Sequence, residues 1–103
     1  MKTYTNITYS EFEKLCDKAK SDGWYYTRSW SMGVGVIYNK ASYDKEVDKT
    51  INKTDKDTVA KAIVCYNPDD SRIDNTKRIH AATGRLSLSL SKMLVYYFEK
   101  LRQ

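Results

Sequence analysis

The stretch RLSLSLSKMLVYYFEKL, residues 85–101, decides the fold because it reads two ways. As a strand, Leu86, Leu88 and Leu90 alternate strictly with Ser87, Ser89 and Ser91. As a helix, Ile79, Leu86, Leu90, Met93, Leu94, Tyr97 and Leu101 fall within an arc of roughly 100° at 3.6 residues per turn. The alternation stops at Lys92 while the stripe runs on in register, so the spacing predicts a long C-terminal helix capped by Asp74 or Asn75. Gly84 lies inside it. It either weakens the helix by ~1 kcal/mol relative to Ala or marks the point where two shorter helices meet.

Upstream, TVAKAIVCY (58–66) is apolar at nearly every position and predicts a central strand covered on both sides, stopped by Asn67-Pro68-Asp69-Asp70. From Asn39 to Asp57 the only apolar residues are Ala41, Tyr43, Val47 and Ile51, so a solvated connection is expected. Val47 and Ile51 stand one helical turn apart, yet the Lys/Asp density around them equally fits a loop or a hairpin extension, and both stay open. Trp24–Tyr38 reads as a hairpin turning at Ser31-Met32-Gly33. Before it, Ser10 and Glu13 form a capping-box pair ahead of a helix from about Glu11 to Ser21, closed by Gly23. The expected fold is α+β: one domain, residues 1–103, with a short antiparallel three-stranded sheet packed by an N-terminal helix and a long C-terminal helix.

With 103 residues, 41% of them hydrophobic and 30% charged, the composition is that of an ordinary globular domain. MKTYTNITYSEFEK has no apolar run of signal-peptide length, and the apolar stretches elsewhere are short, so a cytoplasmic protein with no membrane span is expected. Cys16 and Cys65, 49 residues apart, match neither a disulfide framework nor a metal knuckle. With His80 as the single histidine and both thiols on predicted core faces, neither a metal site nor a Cys/His nucleophile is expected. Phosphate-loop, zinc-protease, nucleophile-elbow and EF-hand patterns are missing, and GVG at 33–35 lacks the following glycine and helix. The expectation is therefore a protein that is not an enzyme and uses no cofactor.

Charge is informative by its placement. The net charge of +5 resides at the C-terminal end, where residues 76–103 carry six positive side chains and one negative. Arg78, Arg85 and Lys92 recur every seven residues and line up within ~40° on one predicted helix face, with Leu88, Val95 and Tyr96 beside them. Long cations mixed with aliphatic and aromatic side chains suit a partner-binding surface. The same residues are equally read as a solubilising face, with Leu88 and Val95 tucked under the 39–57 loop. A second candidate is the aromatic strand. Trp24, Tyr25, Tyr26 and Trp30 around Arg28 form either a base-stacking platform or, as favoured in a small domain, a core that leaves only Tyr25 exposed.

Val64 to Leu86, VCYNPDDSRIDNTKRIHAATGRL, resembles a pattern seen in short proteins of phages and other mobile elements. In that pattern a strand ends in a Pro-Asp turn and a basic helix follows, here with Ala82-Thr83-Gly84-Arg85-Leu86. The match covers under a quarter of the chain. Size and Lys/Asn/Tyr-rich composition are also similar to phage accessory and anti-defence proteins, including anti-CRISPR proteins. The resemblance implies an inhibitor that docks on a protein or ribonucleoprotein of a bacterial host; Arg85 is the one residue it carries over. The expected contacts are thus Arg78, Arg85, Lys92, Tyr96, Leu88 and Tyr25, in a monomer or a homodimer. The alternative is direct DNA or RNA binding, the same cations lying on phosphates.

Overall fold

A computed structural model describes residues 1–84 and 86–102. The chain is α+β and forms two compact units, Met1–Glu46 and a second beginning at Val47.

The first unit contains strand β1 (Lys2–Tyr4), helix α1 (Tyr9–Ser21) and strands β2 (Thr27–Ser31) and β3 (Val34–Tyr38). The three strands form an antiparallel sheet in the order β1-β3-β2. Opposite Ile37 stand Lys2 and Arg28, and opposite Gly35 stand Tyr4 and Trp30. These residues share the face that α1 covers, and Phe12, Cys16, Ala19 and Ile37 make the core there, flanked by Tyr4, Ile7, Leu15, Trp24 and Tyr25. Helix α1 begins two residues earlier than the Ser10/Glu13 pair implies. Thr8 is the cap: its hydroxyl accepts from the Glu11 N–H at 3.2 Å and donates to the Glu11 carboxylate at 2.8 Å. Thr8-x-x-Glu11 is thus the working box, and Glu13 is released to pair elsewhere. Gly23 takes the left-handed φ of +71° as expected.

The third strand of the sheet comes from the N-terminal KTY. TVAKAIVCY is helix α3 (Lys56–Cys65), which corrects the expected central strand. Ala60, Lys61 and Ala62 are strong helix formers, and Asp57 suits a first helical turn; apolar residues all round describe a helix as well as they describe a buried strand. Pro68 follows three residues beyond the helix, as a stop.

Residues 40–53 also correct the expected connection: Lys40–Lys53 is helix α2. Asn39 caps it reciprocally, its side-chain oxygen accepting from the Ser42 N–H at 2.8 Å while its own N–H donates to the Ser42 hydroxyl at 3.0 Å. Val47 and Ile51, the pair one turn apart, are its buried residues.

The predicted long C-terminal helix is two helices, α4 (Arg72–Thr83) and α5 (Leu88–Leu101). Gly84, at φ +67°, is the left-handed C-cap of α4, its N–H donating to His80 O. Ser71 caps α4 and Ser87 caps α5, each hydroxyl accepting from the third residue onward. The alternating leucines are helical from Leu88, but the buried positions of α5 are Ser91, Leu94, Val95 and Phe98. The core face is rotated from the expected stripe because the break at Gly84 resets the helical phase. Val95, expected beside the outward cations, is therefore buried, while Leu101 is exposed. Among the described residues no helix is long and apolar enough to cross a membrane.

Candidate functional site

The expected contact residues do not share one helix face. Arg78 lies on α4 and Lys92 on α5, so their seven-residue phase does not survive the break; Arg85 lies outside the described residues. The Arg78 guanidinium is occupied within the chain. It pairs with Asp70 and donates to the Cys65 carbonyl at 3.1 Å and to the Asn75 side-chain oxygen at 3.2 Å. Asn75, itself buried, bonds Asn67 through both its side-chain groups, accepting at 2.8 Å and donating at 2.8 Å. Arg78 and Asn75 thus lock the 67–70 turn onto α4, which is a structural task. Lys92 and Leu88 are exposed on α5, and Tyr96 is half-buried with Lys100 5.8 Å from its ring centre. Tyr25 belongs to the first unit and is half-buried against the α1 core, where Lys20 sits 4.8 Å from its ring centre.

The first unit holds a different cluster. Arg28, projecting from β2 on the α1 face, pairs with Glu13 and lies 5.9 Å from the Tyr9 ring centre, its Nη2 reaching the Tyr9 hydroxyl at 3.5 Å. Tyr9 meets Trp30 edge to face, centroids 5.5 Å apart at 78°, and the Trp30 indole N–H donates to the Ile7 carbonyl at 3.3 Å. Glu13, Arg28, Tyr9 and Trp30 therefore form one continuous row. Its polar ends are satisfied, and the Tyr9 and Trp30 rings stay exposed.

Beyond Trp30 the hairpin turns through Met32 and Gly33, both at positive φ, +49° and +82°. A two-residue turn with both central residues left-handed favours Asn-Gly, because its twist matches the strands and Asn tolerates the conformation. Methionine there costs ~1 kcal/mol or more of local strain. It projects a side chain 93% exposed, with exposed Trp30 and Val34 on the strands beside it.

The electrostatics of the row oppose a proton-transfer role. Hydrogen bonds from the Tyr9 hydroxyl and from Arg28 hold the Glu13 carboxyl below its ordinary value, and the bond to Glu13 raises the Tyr9 phenol. Side-chain bonding to Cys16 and Glu13 pushes Arg28 further into its charged form. Each titration is thus moved further from neutral pH, whereas a general acid or base is tuned towards it. Among the described residues no group of three His, Cys, Asp or Glu side chains converges as a metal site. Tyr9, Glu13 and Met32 were not marked by sequence patterns: Tyr9 precedes the expected helix, Glu13 reads as a capping partner, and Met32 as a turn residue. The available signal was methionine directly before the turn glycine.

Compared with protein families, curated proteins and solved structures, the chain matches none.

Proposed function

We propose that this is a non-enzymatic binding protein that docks on a larger protein or nucleoprotein, with Tyr9, Trp30 and Met32 as the contact and the Arg28–Glu13 pair holding the Tyr9 ring in place. The observation carrying this reading is the β2–β3 tip, where a strained backbone position is spent on a fully displayed methionine beside an ordered tryptophan, tyrosine and arginine. Residues that break a local rule without a folding benefit concentrate at functional sites. Tyr, Trp and Arg are also the side chains that dominate binding energy at interfaces. The anti-defence resemblance makes the partner a host defence component and the mechanism occlusion. Nucleic acid is the weaker partner because Arg78, one of the three cations invoked, is consumed internally.

The test is capture from a bacterial host lysate on immobilised wild type and on Met32→Asn and Trp30→Ala, with melting curves confirming the folds. The reading requires a partner retained by wild type and lost in both variants. Equal retention by all three, or salt-sensitive nucleic-acid binding indifferent to both substitutions, would overturn it.

A further inference from the structure

Strand β2 is an edge of the sheet, since the order is β1-β3-β2. Its connection to β3 passes through Met32 and Gly33 alone, with Ser31 standing opposite Val34. In a two-residue hairpin that closing pair is hydrogen-bonded, and bonded pairs then alternate along the antiparallel ladder. Thr27, Ser29 and Ser31 therefore turn their N–H and C=O groups towards β3, while Arg28 and Trp30 turn theirs outward. Among the described residues neither Arg28 nor Trp30 makes a backbone hydrogen bond outside the sheet. Open edges are commonly guarded by lysine, proline or a charge aimed past the rim. β2 has no lysine or proline, and its single charge, Arg28, is drawn back onto Glu13.

A second copy fits that edge in one register. Antiparallel pairing must set outward groups against outward groups, so Arg28 faces Arg28, Trp30 faces Trp30, or Arg28 faces Trp30 of the other copy. The first two overlap only three strand residues each, and the first also opposes like charges. The third overlaps all five, Thr27 to Ser31, about a two-fold axis at Ser29. It closes four N–H···O=C bonds and lays each Arg28 beside the other copy's Trp30, a cation against an indole on the α1 face. On the opposite face only small hydroxyl side chains meet, Thr27 against Ser31 twice and Ser29 against itself. One axis thus satisfies backbone, charge and size together, as a self-complementary contact requires.

We infer that β2 pairs with β2 of a second copy, antiparallel about a two-fold axis at Ser29, to make one six-stranded sheet. This goes beyond the docking reading. Trp30 borders both surfaces, but Ser29 is exposed on the other face of the sheet and takes no part in the docking contact.

Sedimentation equilibrium from micromolar to millimolar concentration reads the mass, which is expected to rise from 12.0 kDa towards twice that and no further. Ser29→Lys and Ser29→Glu, at an exposed position, are each expected to melt like wild type when dilute. Each sets like charges about 4.5 Å apart between Cα atoms across the axis and is expected to weaken association about fivefold or more. An equimolar mixture of the two restores opposite charges and is expected to regain association as a heterodimer. Register is read by disulfide cross-linking in a Cys65→Ser background, Cys16 being buried. Ser29→Cys, which meets itself within bridging distance, is expected to cross-link under mild oxidation. Ser31→Cys, about 14 Å from its own copy along the strand, is expected not to. Monomer at every concentration, a mass climbing past the dimer, association indifferent to Ser29→Lys, or equal cross-linking at 29 and 31 would overturn the inference. Met32→Asn is expected to pair like wild type, which separates this result from failure of the docking site.

Discussion

Gly35 is where the packing of the first unit is most exposed to a single methyl group. It sits in the central strand β3 between Tyr4 and Trp30, with no unusual φ, so its requirement is space and not backbone freedom. A Cβ there would lie 2.4, 2.5 and 3.0 Å from Cδ1, Cε1 and Cγ of Phe12. Ordinary carbon contacts are at about 3.5–4.0 Å, so the Phe12 ring must retreat by more than ~1 Å. That ring is fully buried in the cluster with Cys16, Ala19 and Ile37, and both sheet neighbours of β3 pin the strand. Gly35→Ala is therefore expected at the upper end of overpacking costs, ~3 kcal/mol. At about 4–8 °C per kcal/mol this lowers Tm by roughly 12–24 °C. Both tryptophans, Trp24 and Trp30, lie in this unit, so urea unfolding followed by indole fluorescence reads it selectively. In a Phe12→Ala background, which removes all three of these ring atoms, the same substitution should cost under ~1 kcal/mol, a coupling of about 2 kcal/mol. Gly35→Ala within ~0.5 kcal/mol of wild type, or an additive double variant, would refute the account.

Three further outcomes follow from the same geometry. Met32→Asn should stabilise the first unit by up to ~1 kcal/mol, because Asn tolerates the left-handed conformation; unchanged or lower urea stability would remove the argument that the tip is strained. Asn75→Ala should destabilise the second unit by ~1–2 kcal/mol, since it strips partners from the part-buried hydrogen bonds to the 67–71 backbone and from Arg78; amide exchange at Asn67 reads the loss, and protection unchanged from wild type counts against it. Glu13 titrates below its ordinary value in the folded chain, so its contribution to stability is present above the ordinary carboxylate range and is lost as pH falls through that lower value. Tyr9, raised by Glu13, keeps its proton beyond the usual phenol range; Glu13→Gln should move the Tyr9 ring-carbon NMR titration to lower pH, and an unmoved titration would separate the two residues.

Local periodicity made much of the first unit legible and misled in the second for identifiable reasons. Phe12, Leu15, Cys16 and Ala19 have only one reading, and the helix they predict is present, as is the β2–β3 hairpin with its turn at Met32-Gly33. Thr58–Tyr66 failed because a run apolar at nearly every position has no clear phase: burial on two sides of a strand and a helix with an exposed apolar side have the same sequence. Residues 40–53 failed for the opposite reason, since only Val47 and Ile51 carry the helical period among many charges. Residues 85–101 were read correctly as helix from Leu88, but the inward face was set by carrying the phase through Gly84, where the left-handed cap interrupts it. The basic stripe failed with it, being an extrapolation of the same phase. The aromatic strand was read by preference as core that leaves only Tyr25 exposed, and which rings face outward depended on where β2 begins. It begins at Thr27, so Trp24 and Tyr25 go to the core while Tyr26 and Trp30 are exposed.

The two surfaces that resist a purely structural reading do so in different ways, and the difference predicts how each tolerates change. At the β2–β3 tip the anomaly is conformational: Met32 occupies a backbone state that a smaller polar residue holds more easily, so selection for stability alone would replace it. On α3 the anomaly is solvation: Ile63 and Val64 are good enough helix residues in a poor environment, and only burial against another surface recovers the cost of hydrating them. Polar substitution at Met32 should therefore raise stability at any protein concentration. Polar substitution at Val64 should leave the stability of the fold unchanged, because the side chain is already 84% exposed. Melting Met32→Asn and Val64→Glu beside wild type distinguishes them in one experiment. A destabilising Val64→Glu would place that side chain in the packing of the fold and remove the solvation account of α3.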